Sequence, residues 1–342
     1  MSGVDASLDP VVVWGAGAMG GSIGASLLRA GHGVLFVDAD PVHAEAIRSA
    51  GLQISGPVDA FTVAADCISP EEVGGPLGTV LLCVKAHHTE AASRRIATLL
   101  ARDGFVVSVQ NGLNEETIAR HVGQRRTMGC FVNFGADVVA PGSVMRGNRG
   151  AVVVGELDGR VTPRLRAVHR LFRDFEPDAI RSRNIQGYLW AKLAYGSMLF
   201  ATALSDSSIA DVLDDPAHRP ALIGLAREAV AVAVATGVEP EPFDGFDPFA
   251  FGPEAPGRHA EASLDRLVAF NRSSAKSHSG VWRDLAVRKR KTEVDAQIVP
   301  IVERGRSAGV DTPLTQRLVA LIHDVEEGRR VQSRETLDAL TG

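Results

Sequence analysis

The sequence predicts an α/β protein in which a parallel-sheet domain, residues 1–183, is followed by an all-helical domain, residues 184–342. Two observations support this division. In the first half, short β-branched runs alternate with helix-like stretches, an order typical of a parallel sheet with helical crossovers. From about Leu165 the strand-like runs disappear, and helical periodicity continues to the end of the chain.

The predicted elements of the first half follow one another in a regular order. The strands are VVVWG from residue 11, GVLFVDA from 33, GTVLLCVKA from 78 and GFVVSVQNG from 104. The helices are Ser22 to Arg29, Val42 to Ser49, Glu90 to Leu100 and Glu115 to His121. Two later runs, MGCFVNFGADV and GAVVVGEL, are expected to extend the same sheet.

The remaining chain is predicted to be helical, with one long loop. The helices are Thr162 to Phe175, Gln186 to Leu204, Pro220 to Thr236, Ala260 to Asn271, Leu285 to Ala308 and Pro313 to Glu327. The stretch EPEPFDGFDPFAFGPEAPG, residues 239–257, is dense in Pro, Gly and Phe. Its length favours a lid or an interface element.

Charge and cysteine content narrow the functional class. The formal net charge is -5 without a large block of one sign, which argues against nucleic-acid binding. The basic run Arg283 to Lys291 is expected to be a solvated helix face. Three scattered cysteines suit a reducing cytoplasm and lack metal-site spacing, so no metal is predicted. The start MSGVDASLDP lacks the basic residues of a signal peptide.

One apolar segment, GYLWAKLAYGSMLFATAL at 187–204, carries a single formal charge at Lys192. Its length could suit a membrane span, but the lysine and the scattered Gly, Ser, Thr and Tyr favour a buried helix, and no membrane partner is predicted. Lysine is rarely buried without a partner. Lys192 is therefore expected to point into a cleft and contact a substrate oxygen; the alternative is a side chain that reaches solvent from the helix end.

A glycine-rich motif opens the chain. VVVWGAGAMGGSIGASLLRAGHGVLFVDAD contains Gly15, Gly17 and Gly20 in G-x-G-x-x-G spacing, with Ala18 and Met19 between the last two. The motif follows a strand and opens a helix, which is the context of a Rossmann-type dinucleotide site. The helix N-terminus would supply N–H groups to the phosphates. The alternative is a glycine-rich turn without a ligand.

Asp38 ends the second strand, about twenty residues beyond the glycines. A carboxylate at this place accepts hydrogen bonds from the adenosine ribose and repels the additional phosphate of NADP. The next basic residue is Arg48, past His43. The sequence therefore predicts NAD as the cofactor, with NADP disfavoured.

Further motifs stand in a recognisable order. VKAHHT at 84 and VQNGLNEE at 109 each follow a strand, LWAKLAYG begins the helical half, and TEVDAQ lies at 292. Together with the glycine motif, they make the chain resemble the ketopantoate reductase family over nearly its whole length. The resemblance implies a Rossmann domain, a helical domain and an active site between them. It also implies reduction of a 2-oxo acid by a nicotinamide cofactor, and a homodimer.

The same resemblance assigns roles to single residues. Lys192 matches the general acid, and Glu293 matches the substrate-binding glutamate, so these two are the predicted catalytic residues. Asn111 and Lys85 match residues beside the nicotinamide and its ribose, and Ala136 matches a residue near the cofactor. The plainer alternatives are a solvated carboxylate for Glu293, a strand-end charge for Lys85 and turn chemistry for Asn111.

The departures from the family pattern fall on the substrate side. Two asparagines usually follow Trp-x-Lys-Leu, whereas this chain has Gly196 and Phe200. A serine pair appears here as SHSGVW, which leaves His278 and Ser279 as the nearby polar residues, and the segment from Asp284 to Glu293 looks one residue longer. Space at Gly196 and an apolar face at Phe200 predict a substrate that is bulkier or less polar than ketopantoate.

The predicted reaction is hydride transfer between a nicotinamide and the carbonyl or hydroxyl carbon of a 2-oxo or 2-hydroxy acid or a related compound. Lys192 would act as general acid and base, because the developing oxyanion needs a cation or acid. The predicted substrate contacts are Asn111, Lys192, Gly196, His278, Ser279 and Glu293. Two alternatives stay open: a genuine 2-dehydropantoate 2-reductase of pantothenate synthesis, and an NAD(H)-binding sensor without catalysis.

Overall fold

The computed structural model describes residues 10–273 and 277–341. The chain divides between Ile185 and Gln186 into two compact units. The boundary expected from the sequence, after residue 183, lies two residues earlier. The first unit combines strands and helices, and helices make up the second.

The strands of the first unit are named in chain order. They are β1 (Val11–Trp14), β2 (Val34–Val37), β3 (Leu52–Ser55), β4 (Phe61–Val63), β5 (Asp66–Ile68), β6 (Leu77–Leu82), β7 (Leu100–Ser108), β8 (Thr127–Val132), β9 (Gly135–Ala140), β10 (Ser143–Asn148), β11 (Val152–Glu156) and β12 (Ile180–Arg181).

Eight of these strands form the main sheet, in the order β12-β11-β8-β7-β6-β1-β2-β5. Neighbouring strands are parallel except β8 and β11, which are antiparallel. The chain winds outward from β1 in both directions, to β2 on one side and to β6 on the other. In such sheets ligands bind at the carboxyl edge of this switch point. The fold class predicted for the N-terminal half is confirmed.

A second, four-stranded sheet in the order β4-β3-β10-β9 was not predicted. The run MGCFVNFGADV was expected to extend the main sheet, but only its first part does so, as β8. Its last residues belong to β9, which pairs antiparallel with β10. Parallel pairing of β10 with β3 joins segments about ninety residues apart, through partners such as Val144 and Ile54.

The helices of the first unit cover the sheets. They are α1 (Ala18–Arg29), α2 (Pro41–Ala50), α3 (Thr89–Leu99), α4 (Glu115–Val122) and α5 (Pro163–Phe175). Asp40 caps α2 by accepting the N–H groups of Val42 and His43, and the hydroxyl of Thr162 caps α5 through the N–H of Leu165. Both helices then continue with proline, which suits the first turn because its missing N–H is not needed there.

The helices of the second unit are α6 (Ile185–Thr202), α7 (Ile209–Asp214), α8 (Arg219–Ala235), α9 (Gly257–Ser273), α10 (Gly280–Ala286), α11 (Val294–Gln297), α12 (Val299–Ala308), α13 (Pro313–Glu326) and α14 (Arg334–Asp338). Helix α6 begins at the last residue of the first unit. The all-helical character predicted for the C-terminal half is confirmed. Among the described residues, no helix is long and apolar enough to cross a membrane.

The single helix predicted from Leu285 to Ala308 is wrong, because the chain leaves the helix between α10 and α11. The carboxylate of Asp284, which is 3% exposed, accepts hydrogen bonds from the side chains of Arg288 and Arg290. Lys289 between them has a left-handed backbone, with φ of 50°. The basic run is therefore partly a loop organised by one buried carboxylate, and only its first part lies on a helix face.

The proline-rich stretch 239–257 is a loop, as predicted, with a short 3-10 turn at Pro248–Phe251. Its rings of Phe243, Phe246 and Phe251 are buried. Phe243 and Phe246 lie 6.0 and 5.8 Å from the ring of Tyr195 on α6, measured between centroids. The loop is therefore anchored in the core of the second unit, and a lid or interface role stays a prediction.

Candidate functional site

The glycine-rich loop after β1 lies at the switch point of the main sheet. Gly15 has φ of +106°, and a Cβ added there would lie 2.8 Å from the backbone nitrogen of Val84, after β6. A Cβ on Gly20 would lie 2.0 Å from the carbonyl oxygen of Gly15. Both positions thus need glycine. Gly15 needs it for its positive φ and for the close approach of the Val84 backbone, and Gly20 needs it so that α1 can pack on the turn.

Gly17 differs from the other two glycines because it faces space. A Cβ added there would meet no heavy atom within 4 Å in the part of the chain that the structure describes. Gly17 is also the N-cap residue of α1, followed by the half-buried Ala18 and Met19, and the first turn contains no acidic residue. The N–H groups of this turn, a partial positive charge and the open approach fit a pyrophosphate.

Asp38 directly follows β2 and is bonded to the glycine-rich loop. Its Oδ2 accepts the N–H of Ala16 at 2.8 Å, and its Oδ1 accepts the N–H of Asp40 at 2.9 Å. A carboxylate has about four acceptor positions, so capacity remains for ribose hydroxyls. The guanidinium of Arg48 instead contacts the carboxylate of Glu45 and the carbonyl of Cys67.

His43, on α2, supports the same loop from another side. Its Nδ1 accepts the N–H of Gly142 at 3.1 Å, so the ring hydrogen lies on Nε2 and is donated to the carbonyl of Ala16 at 3.0 Å. The imidazole is 5% exposed. The backbone of Ala16 is therefore held on both sides: its N–H donates to Asp38, and its carbonyl accepts from His43. Sequence analysis passed over this histidine, because its partners are distant in sequence.

The two loops beyond β6 and β7 carry the other predicted cofactor residues. Lys85 is exposed and precedes a 3-10 turn at Ala86–His88, and Asn111 is half-buried. Because β6 and β7 are parallel neighbours, both loops leave the same edge of the sheet. Ala136 is half-buried on β9, in the second sheet of the same unit. Gly15, Gly17, Asp38, Lys85 and Asn111 thus follow strands of one sheet.

In the second unit, α6 is buried almost all round. Apart from Gln186 near its start, the half-buried residues of the helix are Tyr188, Lys192, Gly196 and Leu199. Their spacing of four, four and three residues places them on one face of the helix. Lys192 therefore lies in the middle of a narrow, partly accessible strip, which we call the α6 strip.

The α6 strip has open space beside Gly196, and Phe200 does not belong to it. A Cβ on Gly196 would have no neighbour within 4 Å among residues 10–273 and 277–341. The side chain of Phe200 is 1% exposed, so it packs in the core, contrary to the expectation that it gives this face its apolar end. Leu199 occupies that place. At the other end of the strip, burial, assisted by the carboxylate of Glu241, raises the pKa of Tyr188.

The remaining predicted substrate residues have structural partners. His278 donates from Nε2 to the carbonyl of Asp206 at 3.1 Å, accepts from the hydroxyl of Ser277 at 2.9 Å, and lies 4.1 Å from the ring of Trp282. Ser279 is 5% exposed, and its hydroxyl caps α10 by accepting the N–H of Trp282. Both are thus already engaged within the second unit.

Glu293 is half-buried and is the N-cap residue of α11. Its carbonyl accepts the N–H groups of Ala296 and Gln297. It follows the loop organised by Asp284, in the segment that looks longer than the family pattern. The conformation of that loop therefore fixes where the Glu293 backbone lies.

Comparison with known proteins decides the family. The family model for ketopantoate reductase PanE/ApbA matches residues 11–159, and the model for its C-terminal part matches residues 184–326. A 2-dehydropantoate 2-reductase of Archaeoglobus fulgidus is 30% identical over 320 residues, which cover 93% of this chain and 98% of that protein. The chain belongs to the ketopantoate reductase family. A second relative, the 2-dehydropantoate 2-reductase of Mesorhizobium japonicum, is 26% identical and covers 91% of this chain and 96% of its own.

Solved structures of the same fold cover the chain almost completely. A family ketopantoate reductase from Ralstonia eutropha superposes with a TM-score of 0.77 at 26% identity, over 93% of this chain and 99% of that one. D-mandelate dehydrogenase in complex with NADH and anilino(oxo)acetate reaches a TM-score of 0.81 at 22% identity, over 93% of this chain and 98% of that one.

Membership in the ketopantoate reductase family makes the chain an oxidoreductase that acts on CH–OH groups, in a family that uses NAD(P)H. The glycine-rich loop fits the phosphates of such a cofactor. In the described parts of the chain, His, Cys, Asp and Glu side chains form no group of three that could hold a metal ion.

Proposed function

We propose that this chain is an NADH-dependent oxidoreductase that interconverts a 2-oxo acid and its 2-hydroxy acid, with a substrate bulkier than ketopantoate. The observation that carries the proposal is the α6 strip, where Lys192 is the only formally charged residue and Gly196 leaves space beside it. The preference for NADH rests on Asp38.

The first unit provides the cofactor site. N–H groups at the start of α1 bind the pyrophosphate, and Gly17 lets it approach the backbone. Asp38 accepts hydrogen bonds from the adenosine ribose and repels a 2′-phosphate. Lys85 and Asn111 bind the nicotinamide half. The bound cofactor supplies the hydride.

Lys192 provides the proton. During reduction the hydride adds to the carbonyl carbon, the C=O bond becomes a C–O single bond, and the ammonium of Lys192 gives its proton to that oxygen. In oxidation the neutral amine takes the hydroxyl proton back. A fixed position on α6 keeps the ammonium aligned with the charge that develops on the oxygen. Glu293 holds a substrate hydroxyl or Lys192 itself.

The α6 strip sets the substrate preference. Space at Gly196 admits a larger side chain, and Leu199 makes the far end of the strip apolar. Tyr188, with a neutral phenol at the other end, offers an aromatic face and a hydroxyl. A 2-oxo acid with an aromatic or branched side chain suits these groups. The ligand of the mandelate dehydrogenase complex, anilino(oxo)acetate, likewise joins an aromatic ring to an oxoacetate group.

The first experiment measures initial rates with NADH and with NADPH, using ketopantoate and a panel of bulkier 2-oxo acids. We expect NADH and a bulkier acid to give the highest kcat/KM. Lys192→Ala is expected to reduce kcat by at least about 100-fold, the usual contribution of a general acid, while NADH binding is retained. Lys192→Arg, which keeps the charge but does not release a proton, is the matched control and should also be impaired.

Two outcomes would replace this function. Highest activity with NADPH and ketopantoate would make the chain a 2-dehydropantoate 2-reductase of pantothenate synthesis. NADH binding without turnover of any acid in the panel would favour a dinucleotide sensor.

We also propose a homodimer in a reducing cytoplasm. A ketopantoate reductase from Staphylococcus aureus with the same fold is described as dimeric, at a TM-score of 0.71. The three cysteines are thiols and form no disulfide, which suits a reducing compartment. Light scattering coupled to size-exclusion chromatography tests the dimer, and a monomeric mass would exclude it.

A further inference from the structure

Three buried polar side chains connect the loops that carry Lys85 and Asn111. Gln110, Thr89 and Asn114 are 5%, 2% and 6% exposed. Gln110 Nε2 donates to the carbonyl of Val84 and to the hydroxyl of Thr89, each at 2.8 Å. The Thr89 hydroxyl donates to Asn114 Oδ1 at 3.1 Å, and Asn114 Nδ2 donates to the carbonyl of Asn111 at 2.8 Å.

The two ends of this chain of hydrogen bonds are backbone carbonyls beside the proposed cofactor site. Val84 immediately precedes Lys85, and the other carbonyl belongs to Asn111 itself. The loops also share one edge of the sheet, where the N–H of Val109 donates to the carbonyl of Leu82 at 2.9 Å. Three side chains therefore fix the spacing of two loops beyond the point where the strand ladder ends.

The direction of every bond is determined by the groups involved. The carbonyl of Val84 can only accept, so Gln110 presents its amide nitrogen there and uses the second N–H on Thr89. The single hydrogen of the Thr89 hydroxyl is then left for Asn114, whose amide nitrogen serves Asn111. Removal of one hydroxyl would leave buried groups unpaired on both sides, which is costly. Gln110 Oε1 is buried and has no hydrogen-bond partner in the described chain.

We propose that Gln110, Thr89 and Asn114 are positioning residues that hold Lys85 and Asn111 at the spacing that the nicotinamide half of the cofactor requires. They act through the backbone and do not touch the cofactor. This inference rests on the proposed function, since it assumes that these two loops bind the cofactor.

Thr89 offers the sharpest test, because two substitutions of this residue can be compared with one control substitution at another buried threonine. Thr89→Val keeps the shape and removes the hydroxyl, and Thr89→Ser keeps the hydroxyl. Thr79→Val makes the same change in β6, at a position 1% exposed and away from the loops. The readout is the Kd of NADH from fluorescence, which needs no substrate, together with kcat, KM and the thermal midpoint.

We expect Thr89→Val to raise the Kd and KM of NADH about tenfold, because both hydrogen bonds of the buried Thr89 hydroxyl are lost. Thr89→Ser should stay within about twofold of the wild type, and Thr79→Val should change the thermal midpoint but not the Kd. The double variant Thr89→Val/Asn114→Leu should bind NADH no more weakly than the weaker binder of the two single variants, Thr89→Val and Asn114→Leu. Each single substitution already breaks the same connected network of hydrogen bonds, so their effects should not add. The KM of the 2-oxo acid should change little.

The inference is wrong if Thr89→Val binds NADH like the wild type, or if Thr89→Ser is impaired as much as Thr89→Val. Failure of the proposed function looks different. Wild-type protein that binds NADH but reduces no 2-oxo acid would refute the enzyme assignment, while the Kd comparison would still decide the role of Thr89.

Discussion

The carboxylate of Asp38 accepts the backbone N–H of Ala16 at 2.8 Å, which bonds the end of β2 directly to the glycine-rich loop. The same side chain is proposed to bind the adenosine ribose. Asp38 therefore contributes both to the shape of the loop and to cofactor choice. Two substitutions separate these contributions.

Asp38→Asn removes the charge but keeps one oxygen for the N–H of Ala16. We expect the ratio of kcat/KM for NADPH to that for NADH to rise at least about tenfold, because the repulsion of the 2′-phosphate is lost. Asp38→Ala also removes the hydrogen bonds to the loop. It should lower the free energy of unfolding by about 1–2 kcal/mol and weaken both cofactors. An unchanged cofactor ratio in Asp38→Asn would show that the charge does not decide the preference.

Gly196→Asn tests the space on the α6 strip. A Cβ at this position has no neighbour within 4 Å in the described chain, so the asparagine should fold normally. We expect kcat/KM for bulky 2-oxo acids to fall and that for ketopantoate to rise, because the new side chain fills the space and adds a polar group. Measurement of both rates with the same NADH concentration gives the ratio directly.

The control for this substitution is alanine. Gly196→Ala should stabilise the protein by about 0.5–1 kcal/mol through helix propensity, without a large change in preference. Gly305→Ala on α12 should instead destabilise it, because the added Cβ would lie 2.8 Å from the backbone carbonyl oxygen of Val310. If Gly196→Asn leaves the substrate ratio unchanged, Gly196 does not face the substrate.

The cysteine thiols are expected to be unreactive in the folded protein. Burial, with a smaller effect of the Asp38 carboxylate, raises the pKa of Cys67 to about 12, and burial raises the pKa of Cys83 above its usual range. Cys130 is fully buried. Since thiolate is the reactive form, Ellman's reagent at pH 8 should modify none of them natively and all three in urea.

The same shifts define a pH effect on stability. A thiol whose pKa is raised by folding contributes fully below its unfolded pKa, near 9, and less as the pH rises toward the folded pKa. The free energy of unfolding should therefore decline above about pH 9. Rapid native labelling at pH 8 would contradict the raised pKa values of Cys67 and Cys83.

The main sheet was predictable because each of its principal strands is a short apolar run with its own local pattern. The second sheet was not, since β3 and β4 are half-exposed strands of four and three residues, and β3 pairs with β10 far along the chain. The break between α10 and α11 depends on the side chain of Asp284. Pro300, in the first turn of α12, could have indicated only the later boundary between α11 and α12, because proline is disfavoured inside a helix.

For the candidate site, sequence reasoning found the residues whose backbone or charge makes a motif, such as Gly15, Gly17 and Asp38. It did not find His43 or Thr89, which act through hydrogen bonds to residues between 21 and 99 positions away. Nor did it show that Leu199 rather than Phe200 continues the face of Lys192. These relationships depend on packing, which the periodicity of a uniformly apolar helix does not encode.

The left-handed backbone of Lys289 gives a final prediction. Its φ of 50° lies in the region that favours glycine, and this region costs a side chain about 1–2 kcal/mol. Lys289→Gly should therefore raise the free energy of unfolding by about 0.5 kcal/mol, after the entropy that glycine loses on folding. Urea denaturation of the two proteins measures the difference.

Lys291→Gly is the matched control, because this lysine is also exposed in the same segment but is not in the left-handed region. It should be neutral or destabilising. Since the loop leads to Glu293, activity of Lys289→Gly reports whether the loop conformation is preserved, and we expect kcat within about twofold of the wild type. Equal destabilisation by both glycines would show that the backbone of Lys289 is not strained.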